Sequence, residues 1–178
     1  VAMKLEKESI LPRYLDYVTL ASTADIVALT GENRILVRLG LESINKNPRP
    51  GIKALIEIAG FKLGTVHTGQ IVFGLAPRIN AVGRLGDAMR AVRLLTSDNE
   101  QEAIGLAKVL EEENMNRRKI DGDTFEEAQM LIESEYDDVE AEAALVLHQD
   151  HWHPGVVGIV ASRMVEKYYK PSIMMATV

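Results

Sequence analysis

The chain has no cysteine among its 178 residues. That excludes a disulfide framework and any thiolate metal site, and it fits a reducing cytoplasm. No apolar run approaches the roughly 18 residues of a membrane span. No export signal is visible, because Lys4, Glu6, Lys7 and Glu8 interrupt the first segment. Positive charge is also in deficit. The net charge of −6 argues against broad, non-specific attraction to polyanions while leaving room for a local basic cleft.

What is present is a globular composition, 47% hydrophobic, in a length that suits one domain or pieces of two. Pro12 suits the start of a helix. Leu11, Leu15, Val18 and Ala21 then share one helical face, and Asp25 continues that stripe. A carboxylate on a buried stripe must be paired, hydrogen-bonded or metal-bound. It also lies where a helix C-terminus disfavours an anion, so a nearby cation would resolve both problems. The alternative is an aspartate that turns the chain. Further helices are expected over Arg34–Ile44 and Ile52–Ala59, with a loop or short strand over Lys62–Thr68.

The stretch Phe73–Ala88, FGLAPRINAVGRLGDA, sets Arg78, Asn80 and Arg84 among small and apolar residues. Guanidinium donors match phosphate or carboxylate oxygens two at a time, so this frame points to an anion binder. Two structural arginines are the alternative, one of them bridging Asp87. Glycine costs about 1 kcal/mol in a helix interior relative to alanine. Gly83 and Gly86 therefore predict a short helix from Pro77, a kink near Arg84, and another helix over Asp87–Leu95.

Ser97-Asp98-Asn99-Glu100 reads as a capping box opening a long helix to about Glu135. Its middle, EEENMNRRK, is polar almost all round, as in helices that bridge two domains. A frayed surface helix is the other reading, with Gly122 in its favour. The run Ala143–Leu147, a helix over Pro154–Tyr168 and the run Ser172–Val178 make a βαβ unit, so the two strands should be parallel. Both ends of the chain are expected to be cuts through a larger protein.

His148, His151 and His153 crowd a loop with Asp150, as ligands of a transition metal or as exposed side chains. His153 precedes Pro154-Gly155 at a helix start, where free N–H groups face any anion. Gly155, Gly158 and Ala161 would permit close packing. Arg163 is expected on the surface, paired with Glu166.

Taken together, DYVTLASTADIVALTGENRILVRLGLESIN, RPGIKALIEIAG, FGLAPRINAVGRLGDA and WHPGVVGIVASRMVEKYYKPSIMM resemble the RecJ family. These are single-strand-specific 5′→3′ DNA exonucleases of the DHH phosphoesterase superfamily. The resemblance runs from about Tyr14 to the end and is weakest over Glu112–Glu142. It implies an α/β fold: the mainly helical end of a DHH domain in residues 1–96, a linking helix in 97–136, and the βαβ start of a DHHA1 domain in 137–178. It implies a cytoplasmic enzyme that hydrolyses single-stranded DNA in repair and recombination with Mn²⁺ or Mg²⁺. Asp25, within ASTADIVAL, matches a family aspartate and is implied as metal ligand and catalytic residue. Arg78, Asn80, Arg84 and His153 are implied as nucleic-acid contacts. The Asp-His-His triplet that names the superfamily is absent, so the 178 residues alone are expected to be inactive. A DHH phosphodiesterase for oligonucleotides or cyclic dinucleotides, and a non-catalytic DHH-like scaffold, are the rival readings.

Overall fold

The computed structural model describes residues 8–25 and 27–177. The chain forms two compact units, the first running to Glu112 and the second from Glu113.

The first unit is helical. A 3₁₀ segment, Glu8–Tyr14, leads into α1 (Leu15–Ala24), followed by α2 (Gly31–Lys46) and α3 (Pro50–Ile58). Pro50 sits at the first turn of α3, where its missing N–H is no loss. Gly60, at φ +74°, takes the left-handed conformation that ends this helix region. Residues 61–67 form a loop with no strand. Then come α4 (Thr68–Gln70), a π-helical turn (Ile71–Leu75), α5 (Ala76–Leu85), α6 (Met89–Thr96) and the first part of α7 (Glu100–Glu135). Ile44, Ile52, Leu55, Ile56, Ile71, Leu75, Val82, Leu94 and Leu110 are fully buried in one cluster.

α1 packs on α2, but not through the expected face. Leu11 is 52% exposed, and Ala21 and Asp25 are exposed too. The buried face is Asp16, Thr19, Leu20 and Thr23. The reason is close backbone approach. A Cβ on Gly40 would lie 1.9 Å from Thr19 Oγ1 and 2.1 Å from the Leu15 carbonyl oxygen. Only small residues fit there: Thr19 Oγ1 donates across to the Val37 carbonyl at 3.4 Å, and Thr23 donates to the Thr19 carbonyl one turn back. Asp16 is neutralised by Arg49, whose Nε lies 2.6 Å from Oδ2.

The start of α7 is capped two residues later than the capping-box pattern placed it, at Asn99 rather than Ser97. Asn99 Oδ1 accepts from the Glu102 N–H at 3.0 Å, while Ser97 Oγ donates to the Glu102 carboxylate at 2.8 Å. Helix α7 then runs unbroken through Gly122. Its buried positions continue through the polar middle: Ala103, Ala107, Leu110, Asn114, Thr124, Ala128 and Ile132. Helical spacing carries the stripe into the polar segment at Asn114, whose Oδ1 accepts from Arg117 Nη2 at 2.8 Å.

In the second unit β1 (Leu145–His148) pairs in parallel with β2 (Ser172–Met175), Leu145 opposite Ser172 and His148 opposite Met175. Helix α8 (Pro154–Tyr168) makes the crossover. Leu145 and Leu147 face inward with Val156, Val160 and Met164 buried from α8. Tyr169, at φ +54°, closes α8 in the left-handed conformation. The Tyr136 hydroxyl donates to the Val146 carbonyl at 3.0 Å and accepts from its N–H at 2.8 Å.

Candidate metal and nucleic-acid site

The segment that carries the arginines is one helical run, and its irregularity comes before Pro77 rather than at Arg84. Proline has no N–H to give, and its ring crowds the carbonyl four residues back. The run widens ahead of it: the Ala76 N–H reaches the Ile71 carbonyl five residues back, the π pattern. Gly74 lies inside that turn against the Phe61 ring, where a Cβ would come within 2.3 Å of Cε2. α5 then continues without interruption to Leu85, and Gly86 caps it through an N–H bond to the Val82 carbonyl.

This geometry separates the two arginines. Arg78 is buried, at 7% exposure. Its Nη1 donates to the Gly74 carbonyl at 2.7 Å, and its Nε forms an ion pair with Glu111 on α7. Asn80 and Arg84 are both exposed. They are four residues apart on α5 and therefore share a face that Arg78 does not.

Asn80 also lines a cavity of about 350 Å³ between α1, α5 and α6. Tyr17, Leu20, Ala21 and Ala24 supply its α1 wall. Asp25 caps the C-terminus of α1 directly beyond Ala24, its N–H bonded to the Ala21 carbonyl at 3.1 Å. The cavity thus brings the end of the helix that carries Asp25 alongside the exposed face of α5. Burial raises the Tyr17 phenol above its ordinary value, with Arg49 opposing. The neutral hydroxyl donates to the Leu95 carbonyl at 2.5 Å and ties α1 to α6.

Asp25 is a hard oxygen donor of the kind that Mg²⁺ and Mn²⁺ take. Among the described residues, no three His, Cys, Asp or Glu side chains are grouped to hold a metal ion.

In the second unit His153 is the N-cap of α8. Its Nδ1 accepts from the Gly155 N–H at 3.0 Å, which places the neutral ring's proton on Nε2. His151 Nε2 and Trp152 Nε1 both meet Glu127 Oε2, at 2.9 and 2.8 Å. His148 Nε2 lies 3.4 Å from Asp150. Arg163 does not take Glu166 as its partner. It reaches Asp121 at 2.9 Å and stacks 3.8 Å over the Phe125 ring. Arg117 joins Asp121 at 3.6 Å and Asn114 at 2.8 Å. The Arg163–Asp121 pair was missed because no local pattern links residues 42 positions apart. A Cβ on Gly158 would meet nothing within 4 Å, so this glycine serves no close packing among the described residues.

No family model matches the chain. It is 39% identical over 161 residues to the single-stranded-DNA-specific exonuclease RecJ of Bacillus subtilis, covering 90% of this chain and 20% of that protein. It is 40% identical over 168 residues to the same enzyme of Escherichia coli, covering 93% of this chain and 29% of that one. The chain is homologous to RecJ. The crystal structure of RecJ with Mg²⁺ from Thermus thermophilus superposes with a TM-score of 0.85 at 33% identity, over 98% of this chain and 27% of that one. A manganese-bound exonuclease RecJ gives 0.76 at 38% identity, over 91% of this chain and 40% of that one. The chain thus spans between a fifth and two fifths of these RecJ proteins. The helical region, the long helix and the DHHA1-like βαβ start match the RecJ architecture.

Proposed function

We propose that these residues are part of a metal-dependent exonuclease that hydrolyses single-stranded DNA from its 5′ end in the cytoplasm, in repair and recombination. The observation that carries the reading is the likeness to RecJ at 33–40% identity across nine tenths of the chain or more. Within it, residues 1–96 end a DHH domain, 97–136 link, and 137–178 begin DHHA1. Among the described residues, no helix is long and apolar enough to cross a membrane.

Asp25 holds Mn²⁺ or Mg²⁺ together with ligands from elsewhere in the larger protein, and is its catalytic residue in this chain. Bound there, the cation lowers the pKa of a water and neutralises phosphate charge. Arg84 presents its guanidinium to a DNA phosphate, and Asn80 orients the strand from the same helix face. Arg78 acts on the strand only through α5, which its buried guanidinium holds by way of Gly74 and Glu111. His153 and the following turn of α8 offer a second phosphate contact.

In the full-length enzyme, Asp25→Ala lowers kcat by about 100-fold or more. Arg84→Ala raises KM for single-stranded DNA about tenfold. The isolated 178 residues show no metal-dependent cleavage. Cleavage by that isolated piece, abolished by Asp25→Ala, would overturn the assignment of one carboxylate of a larger site.

A further inference from the structure

A second groove, of about 630 Å³, lies between α2 and the 61–67 loop. One wall is a face of α2 carrying Arg34, Arg38 and Lys46 at helical spacing, with Glu42 among them. Arg38 and Lys46 are 80% and 78% exposed and meet Glu42 only at 3.5 and 3.9 Å. Such long, exposed pairs hold little energy and give way readily to another anion. Arg34 is exposed on the same wall. Three cations against one carboxylate stand out in a chain of net charge −6.

The opposite wall is built rather than loose. The Asn45 side chain donates to the Val66 carbonyl at 2.8 Å and accepts from the Val66 N–H at 2.7 Å. That two-way pairing pins the 61–67 loop against α2, and Gly64 at φ +81° makes its turn. The floor is apolar, Val37 and Val66 each being 4% exposed.

We propose that this groove is a track for the single DNA strand away from its reacting end, with phosphates along Arg34, Arg38 and Lys46. A groove rimmed by cations that can follow a phosphate backbone is the electrostatic part of sequence-independent single-strand binding. The position suits it. Leu29, on the groove, follows Asp25 by four residues and lies within about 14 Å of it along the chain. A strand reacting beside Asp25 therefore needs little length to enter the groove.

The inference rests on the exonuclease reading, and its test separates the two. The full-length enzyme is compared with the Arg34→Gln, Arg38→Gln, Lys46→Gln triple variant on oligothymidylates of ~20 and ~3 nucleotides. The ratio of kcat/KM for the long over the short substrate falls at least about tenfold, and the log–log salt slope of long-strand binding loses about 2 units. The single variant Arg34→Glu, which leaves both Glu42 pairs in place, moves both readouts in the same direction. An unchanged ratio and slope, or equal loss on both lengths, overturns the track. An unsubstituted enzyme that cleaves neither substrate overturns the exonuclease reading instead, and the salt slope still tests the groove.

Discussion

Arg78 Nη1 donates to the carbonyl oxygen of Gly74 at 2.7 Å, one turn back and inside the π-helical turn. The same guanidinium pairs with Glu111 on α7. One side chain therefore fastens the irregular part of its own helix to a neighbouring helix. Its partner carbonyl belongs to the residue that Phe61 presses against.

Removing one member of this pair leaves a largely buried charge alone. Arg78→Ala is expected to lower stability by about 3 kcal/mol, since unpaired buried charges are among the costliest defects. Replacing both members, Arg78→Met with Glu111→Leu, should recover most of that loss. Urea unfolding of the single and double variants checks it. A double variant no more stable than Arg78→Ala would mean that the Gly74 bond, not charge pairing, dominates.

Gly40 sits where α1 and α2 come closest. The atoms its Cβ would strike include the Leu15 carbonyl, which is backbone and cannot swing aside. Gly40→Ala is therefore expected to cost about 2–3 kcal/mol, although alanine is the better helix former. Thermal unfolding measures it. A gain in Tm would show that the two helices separate freely.

Tyr17 gives a pH dependence with a defined sign. Burial holds its phenol above the ordinary value of 10.0. The unfolded chain then releases the proton first, so the stabilisation is complete below about pH 10 and is lost as pH rises through the higher folded value. Between about pH 9.5 and 11, stability should fall more steeply in the native chain than in Tyr17→Phe. Unfolding free energies across that range decide, and parallel slopes would remove Tyr17 as the cause.

Much of the architecture was legible locally. Parallel strands were readable from two apolar runs flanking a helix, because a short connection through a helix leaves no other pairing. The long helix was readable from its stripe, with its cap displaced by two residues because Asn99 competes with Ser97 for the first turn. The candidate site was legible only as residue types. Arg78 and Arg84 look equivalent in FGLAPRINAVGRLGDA, and no local pattern names Glu111 as the partner of one of them. The buried face of α1 was misread for a related reason. Hydrophobic periodicity assumes that apolar side chains fill the contact, whereas here Gly40 brings backbone to backbone, Thr23 donates to the Thr19 carbonyl and Thr19 donates across to the Val37 carbonyl.

The sequence by itself determined the helical pattern, the βαβ end and the likeness to RecJ. These follow from short-range spacing and from strings of residues. Tertiary structure alone decided which arginine is buried and which exposed, which face of α1 packs, and which cations of α2 line a groove. Each of those turns on a partner far away in the chain. Only folding sets the distance, and with it the energy, of an interaction between such residues.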